Sequence, residues 1–117
     1  MELETVQKID YADFAKVQIL SGTIVRAEPF PEARKPAIKV WVDFGPHIGI
    51  KQSSAQITEH YSASSLVGLQ VAGVVNLGPK RIGPFTSEFL LVGFEDDAGH
   101  VCLIRPDKKV PNGKKLF

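Results

Sequence analysis

From Ile38 to Phe44 the chain alternates: Ile38, Val40, Val42 and Phe44 fall on one side of an extended segment, and Lys39, Trp41 and Asp43 on the other. This period of two marks a strand with one face in a core and one toward solvent. The rest of the chain is divided by glycine and proline into similarly short pieces. "EPFPEARKPA" carries three prolines and reads as a loop. Val17 to Ala27 alternates, with Val17, Ile19, Ser21, Thr23 and Val25 on one face and Ile24 on the other. "HIGIKQSSAQI", "LQVAGVVN", "SEFLLVGFE" and "HVCLIR" are further strands, the last two joined by the turn signal "DDAG". Asp10 is placed to cap a short helix at about 10–15, and Ser62 to cap a single turn through Leu66, closed by Gly68. The tail, about 105–117, reads mostly as turn.

Five or six short strands, two single-turn helices and glycine-rich turns predict a small all-β barrel over a single domain, 1–117. A sandwich is the rival. Gly22, Gly49, Gly73 and Gly93 suit the bends and bulges of a tightly coiled barrel.

The 44% hydrophobic and 23% charged content is that of a globular protein, and no apolar run approaches the roughly 20 residues of a membrane span. The start, "MELETVQKID", lacks the basic and apolar regions of a signal peptide, so the expected location is cytoplasmic, with no membrane partner. Cys102 is the single cysteine, which excludes an internal disulfide. Its apolar surroundings, "HVCLI", predict a buried, inert thiol.

Charge is distributed unevenly. Residues 1–32 hold Glu2, Glu4, Asp10, Asp13, Glu28 and Glu32 against three bases. Residues 33–82 hold Arg34, Lys35, Lys39, Lys51, Lys80 and Arg81 against Asp43 and Glu59. A basic middle permits an anion-binding face.

Catalytic signatures are missing from the sequence. No G-x-S-x-G, phosphate loop or dinucleotide fingerprint occurs, and the Asp96-Asp97 pair lies in an expected turn. His47, His60 and His100 have no second ligand at a useful spacing, and Cys102 has no partner cysteine. The expectation is a non-enzyme with no metal and no cofactor. Lys51, Gln52, Ser53 and Ser54 are compact polar groups without a core explanation, and Lys39 lies beside Trp41 on one strand face. Donors, cations and a stacking ring on one sheet are what looped RNA binding uses. Trp41 packed under the N-terminal helix is the alternative.

"VVNLGPKRIGPFTSEFLLVG" carries the main resemblance, supported by "IDYADFAKVQILSGTIVRAE" and, at the end, "RPDKKVPNGKKLF". Over nearly its whole length the chain resembles the tRNA-binding domain family, and is most similar to its export-related chaperone branch through "EARKPAIKVWVDFG" and "IGIKQSSAQIT". The resemblance implies an OB-fold, a five-stranded Greek-key barrel with an N-terminal helix and a C-terminal extension. It also implies a homodimer, and as partners tRNA and unfolded or exported protein segments. After Ser87-Glu88 the appendages of methionyl-tRNA synthetases usually continue Gly-Met, whereas Phe89-Leu90 stands here.

In an OB-fold, ligands meet one sheet face and its adjoining loops. Asn76 to Phe85 is placed like the loop between the last two barrel strands, stiffened by Gly78, Pro79, Gly83 and Pro84. The tRNA-binding candidates are Lys35, Lys39, Lys51, Ser53, Asn76, Lys80, Arg81 and Ser87. Ser87 with Glu88 could equally satisfy loop amides. The peptide-binding candidates are Ile38, Trp41, Ile82 and Phe85, with Phe85 as the loop's own anchor the alternative.

Overall fold

The computed structural model describes residues 6–117, so Glu2 and Glu4 lie outside the described residues. Helix α1 (Tyr11–Ala15) precedes strands β1 (Ile19–Pro29), β2 (Ile38–Asp43) and β3 (Ile50–Ala55). The turn α2 (Ala63–Leu66) and β4 (Gln70–Val74) follow. Five short strands then complete the chain: β5 (Lys80–Ile82), β6 (Phe85–Ser87), β7 (Leu90–Leu91), β8 (Gly93–Glu95) and β9 (Val101–Leu103). Antiparallel pairing in the order β3-β2-β1-β4-β7 forms one five-stranded sheet, with β5–β6 and β8–β9 as separate ribbons. The sheet curls into a nearly closed barrel of OB type. The run expected as one strand, Ser87–Glu95, is broken because it changes partner repeatedly. β6 pairs with β5, β7 with β4 and β8 with β9.

The alternation of β2 fills the core. Ile38, Val40, Val42 and Phe44 are buried with Ile24, Leu66 and Val71. Phe44 meets Phe89 edge-on, with ring centroids 5.0 Å apart. Gly22 and Gly73 sit against that Phe44 ring; a Cβ on Gly73 would stand 2.7 Å from Phe44 and 3.0 Å from Phe89. These two glycines therefore admit a buried ring rather than mark bulges. The one irregularity of the β1–β2 register falls between Ile24 and Arg26, and Gly49 lies in the turn before β3. Gly73→Ala should cost about 1–3 kcal/mol through overpacking. Urea denaturation would measure it, and an unchanged midpoint would show that the rings have room to retreat.

Side chains close the barrel where β3 meets the β6–β7 segment. Ser53 is buried and its hydroxyl donates to the Phe89 carbonyl at 2.7 Å. The Ser87 hydroxyl accepts from the Ser54 amide at 3.3 Å, and the Glu88 carboxylate from the Gln52 amide at 3.0 Å. Gln52 makes two further bonds: its carbonyl accepts from the Glu88 amide (2.8 Å), and its side-chain amide donates to the Thr86 carbonyl (2.9 Å). A short strand facing a bent segment cannot form a full ladder, and its orphan backbone groups are satisfied this way.

The C-terminal segment, expected mostly as turn, docks on β1 like an added strand. Ser21 exchanges backbone bonds with Gly113 and Lys114, and the Leu116 amide donates to Ile19 at 2.8 Å. Gln70 holds Val110 through both backbone groups, at 2.6 and 3.0 Å. Ser62 caps α2 as expected, in a reciprocal box with Ser65. Asp10 takes the N-cap position of α1, but its side chain makes no capping bond; its carbonyl receives the Asp13 and Phe14 amides instead. No residue of α1 is buried.

Cys102 is exposed, contrary to expectation. In the β8–β9 ribbon only one face meets the body of the protein, and alternation gives that face to Val101 and Leu103.

Candidate nucleic-acid interface

The hairpin β5–β6, turning at Gly83-Pro84, carries the basic pair on a strand instead of a loop. Its two faces differ. Lys80 and Ile82 line a cavity of about 850 Å³, while Arg81 between them is exposed and donates from Nε to the Gly83 carbonyl at 3.1 Å. The cavity lies between this hairpin, the edge of β3, and the loop from Ala33 to Ala37. Arg34, Lys35 and Lys80 supply its cations. Leu77 and Leu90, 51% and 50% exposed, supply apolar surface.

Behind one wall is a small aromatic core. Phe85 is 7% exposed and packs edge-on against Phe30 (5.5 Å) and Trp41 (6.1 Å), with Ala33, Ala37 and Ile82 around it. Phe85 is thus an anchor that fixes the hairpin, not a surface offered to a peptide. Trp41 does not pack under α1. The Arg26 guanidinium covers its ring at 4.4 Å, itself paired with Glu28. Arg26 thus occupies one face of the indole, and Phe85 meets the ring edge-on. Lys39 sits on the same cluster, its ammonium 4.8 Å from the Phe30 ring centroid and 5.1 Å from that of Phe85.

The remaining candidates divide by what their atoms already do. Ile38 is buried in the main core and has no surface for a peptide. The Ser53 and Ser87 hydroxyls are engaged in the barrel seam. The Asn76 side chain accepts from the Gln18 amide at 2.8 Å and donates to the Lys16 carbonyl at 2.6 Å, pinning the segment that leads into β1. Lys51 pairs with Val42 across β2–β3, while Gln52 and Ser54 pair with Trp41 and Lys39. The polar run 51–54 is therefore split between the two faces of the strand, as a period of two requires. Around the cavity the fold gathers Lys35, Lys80 and Ile82, with Ser53 and Ser87 spent on structure.

Four contributors are absent from the candidate residues of the sequence: Arg34, Leu77, Leu90 and Phe30. Phe30 lies between two prolines. A large apolar residue between breakers, the same signal that points to Phe85, would have found it.

Among the described residues, none of Arg34, Lys35, Lys39, Lys51, Lys80 or Arg81 has a carboxylate within salt-bridge distance. The ion pairs are Lys16–Asp13, Arg26–Glu28, His60–Asp96 and Lys108–Asp107. Unneutralised cations beside a cavity raise the local positive potential.

Residues 19–115 match the tRNA binding domain family, and the chain belongs to that family. It is 44% identical to the chaperone CsaA of Bacillus anthracis, whose structure agrees with a TM-score of 0.89 over 95% of this chain and 100% of that one. A CsaA chaperone protein of Picrophilus torridus is 43% identical, with a TM-score of 0.86 over 94% of this chain and 100% of its own. The methionine–tRNA ligase of Methanocaldococcus jannaschii is 32% identical over 113 residues, which are 97% of this chain but 17% of the ligase. The chain spans only 14–17% of the length of the methionine–tRNA ligases it matches. Among the described residues, no helix is long and apolar enough to cross a membrane.

Proposed function

We propose that this chain is a non-catalytic binding module that holds tRNA by its phosphates, with little base readout, in a cytoplasmic setting. The observation that carries this reading is the set of unpaired cations, Arg34, Lys35 and Lys80, lining one cavity of a tRNA-binding-family domain. The packed rings of Phe30 and Phe85 argue against base stacking there, and exposed cations favour backbone contact. Arg81, exposed on the opposite face of the same hairpin, adds a fourth charge within reach of an extended polyanion. The test is titration of total tRNA at several salt concentrations, with Lys35 and Lys80 changed together to Ala as the comparison.

A second role at the same groove is favoured by Leu77 and Leu90. Half-exposed leucines over an apolar floor suit a segment of an unfolded or exported protein, a chaperone function like that in the names of the two CsaA neighbours. Such binding holds or strengthens as a structure-making salt is added, whereas phosphate binding weakens. A preprotein-binding protein with no tRNA role is the outcome if only the unfolded client binds.

The active assembly in this reading is a two-fold dimer. Helix α1 has no buried residue, yet it and its flank present Tyr11, Phe14 and Val17, and the docked tail presents Leu116 and Phe117. Apolar groups of this size left open at both ends of the chain fit a self-complementary surface. Light scattering should give twice the chain mass at micromolar concentration, and Phe14→Asp with Val17→Asp should halve it. A monomeric parent protein would refute the dimer.

A further inference from the structure

Among residues that do not line the cavity, the fold assembles a group of side chains that no sequence spacing announces. His60 comes from the segment between β3 and α2, and Asp96, His100 and Cys102 come from the β8–β9 hairpin. A ligand atom from each of His60, Asp96 and Cys102 lies within 4.8 Å of the others. His60 Nε2 and Asp96 Oδ2 are 2.7 Å apart, and the His100 ring meets the His60 ring edge-on with centroids 5.7 Å apart.

The chemistry of the set suits a cation. Imidazole nitrogen, carboxylate oxygen and thiolate sulfur together are the donors of a tetrahedral zinc site with one open position. Asp96 is already oriented. Its Oδ1 accepts from the Ala98 and His100 amides, both at 2.9 Å, which turns Oδ2 toward His60. Residues 57–61 and 93–100 also carry Glu59, Glu95 and Asp97 and no lysine or arginine, so the surroundings attract positive charge. Metal bonds of about 2.0–2.3 Å place tetrahedral ligands about 3.3–3.7 Å apart. Reaching that from the observed spacing takes shifts of about 1 Å, which exposed side chains make by small torsional adjustment.

We propose that His60, Asp96 and Cys102 bind one divalent transition-metal ion of the zinc class, with solvent in the fourth position beside His100. The Cys102 proton leaves to solvent as the sulfur–metal bond forms, and the thiolate and carboxylate together balance the ion's two charges. The ion would cross-link the hairpin to the segment ahead of α2. That junction otherwise depends on the His60–Asp96 contact and the Tyr61 hydroxyl, which accepts from the Leu103 amide at 3.0 Å.

The test uses the full chain, reduced, metal-stripped and free of any histidine tag. Titration with Co²⁺ should give one ion per chain, a thiolate-to-cobalt charge-transfer band, and the intense visible bands of tetrahedral cobalt. Zn²⁺ should displace the cobalt and raise the thermal midpoint. Cys102→Ser should abolish the charge-transfer band. His60→Ala should weaken binding by more than the roughly 10–100-fold that loss of a mere supporting partner costs. His47→Ala should change nothing, since His47 is exposed in the turn before β3. Cys102 is exposed, so Cys102→Ser keeps the metal-free midpoint of the parent; His60→Ala also removes the contact with Asp96, and its affinity is therefore read beside its own metal-free midpoint. A parent protein that gives no charge-transfer band in excess Co²⁺ overturns the proposal, as does parent-like affinity in Cys102→Ser. One ion per two chains would place the metal between copies and overturn it equally.

Discussion

Raising the salt from about 50 to about 200 mM should weaken tRNA binding on the order of a hundredfold. Arg34, Lys35, Lys80 and Arg81 are exposed and have no acidic partner among the described residues, so each can displace a counterion from a phosphate. Four contacts at a slope of about −0.7 to −0.9 each give roughly two decades across that range. Lys35→Ala with Lys80→Ala should weaken binding at every salt concentration and flatten the log–log slope by about two. Both side chains are exposed at the cavity rim, so the unfolding midpoint should hold. Binding of an unfolded client should change little, because that mode rests on Leu77 and Leu90. An unchanged slope with intact affinity would show that the cavity's cations do not meet phosphate. The site would then have to be sought on the opposite face of the hairpin, around Arg81, or at Lys51.

Phe85→Ala should lower stability by about 3–5 kcal/mol, the range for deleting a buried phenylalanine side chain. For a chain of this size that is a fall in thermal midpoint of roughly 15 °C. The ring is held edge-on by two others, under the Lys39 ammonium, and no other side chain of the hairpin reaches that cluster except Ile82. Losing it also frees the β5–β6 ribbon, so tRNA affinity should fall even though Phe85 itself touches no phosphate. Calorimetry beside the tRNA titration separates the two effects. A midpoint within a few degrees of the parent, with client binding lost, would return Phe85 to the role of a peptide contact.

The β2 strand was legible because its burial pattern and its sequence pattern share one period. The same rule reveals why the polar run Lys51–Ser54 misled: four adjacent polar residues look like one patch in sequence, but a strand places alternate members on opposite faces. The hairpin at Gly83-Pro84 looks like a loop in sequence because its strands are three residues each, too short for a periodic signal. Cys102 was misplaced because an apolar run does not say which of its faces turns inward.

The sequence by itself determined the strand-rich barrel, the capped turn at Ser62, the basic middle and the family, since each rests on local pattern or on a long ordered motif. Only the tertiary structure decided which polar side chains remain available to a partner. Ser53, Ser87 and Asn76 have the composition of a binding site, yet they bond to backbone groups 33 to 60 positions away. A hydroxyl or amide satisfies a distant carbonyl or a ligand with the same chemistry, so nothing local distinguishes the two. The meeting of His60 with Asp96 and Cys102 has the same cause. Ligand geometry is set by the path of the backbone across 36 residues and more, which the spacing of those residues in the chain does not encode.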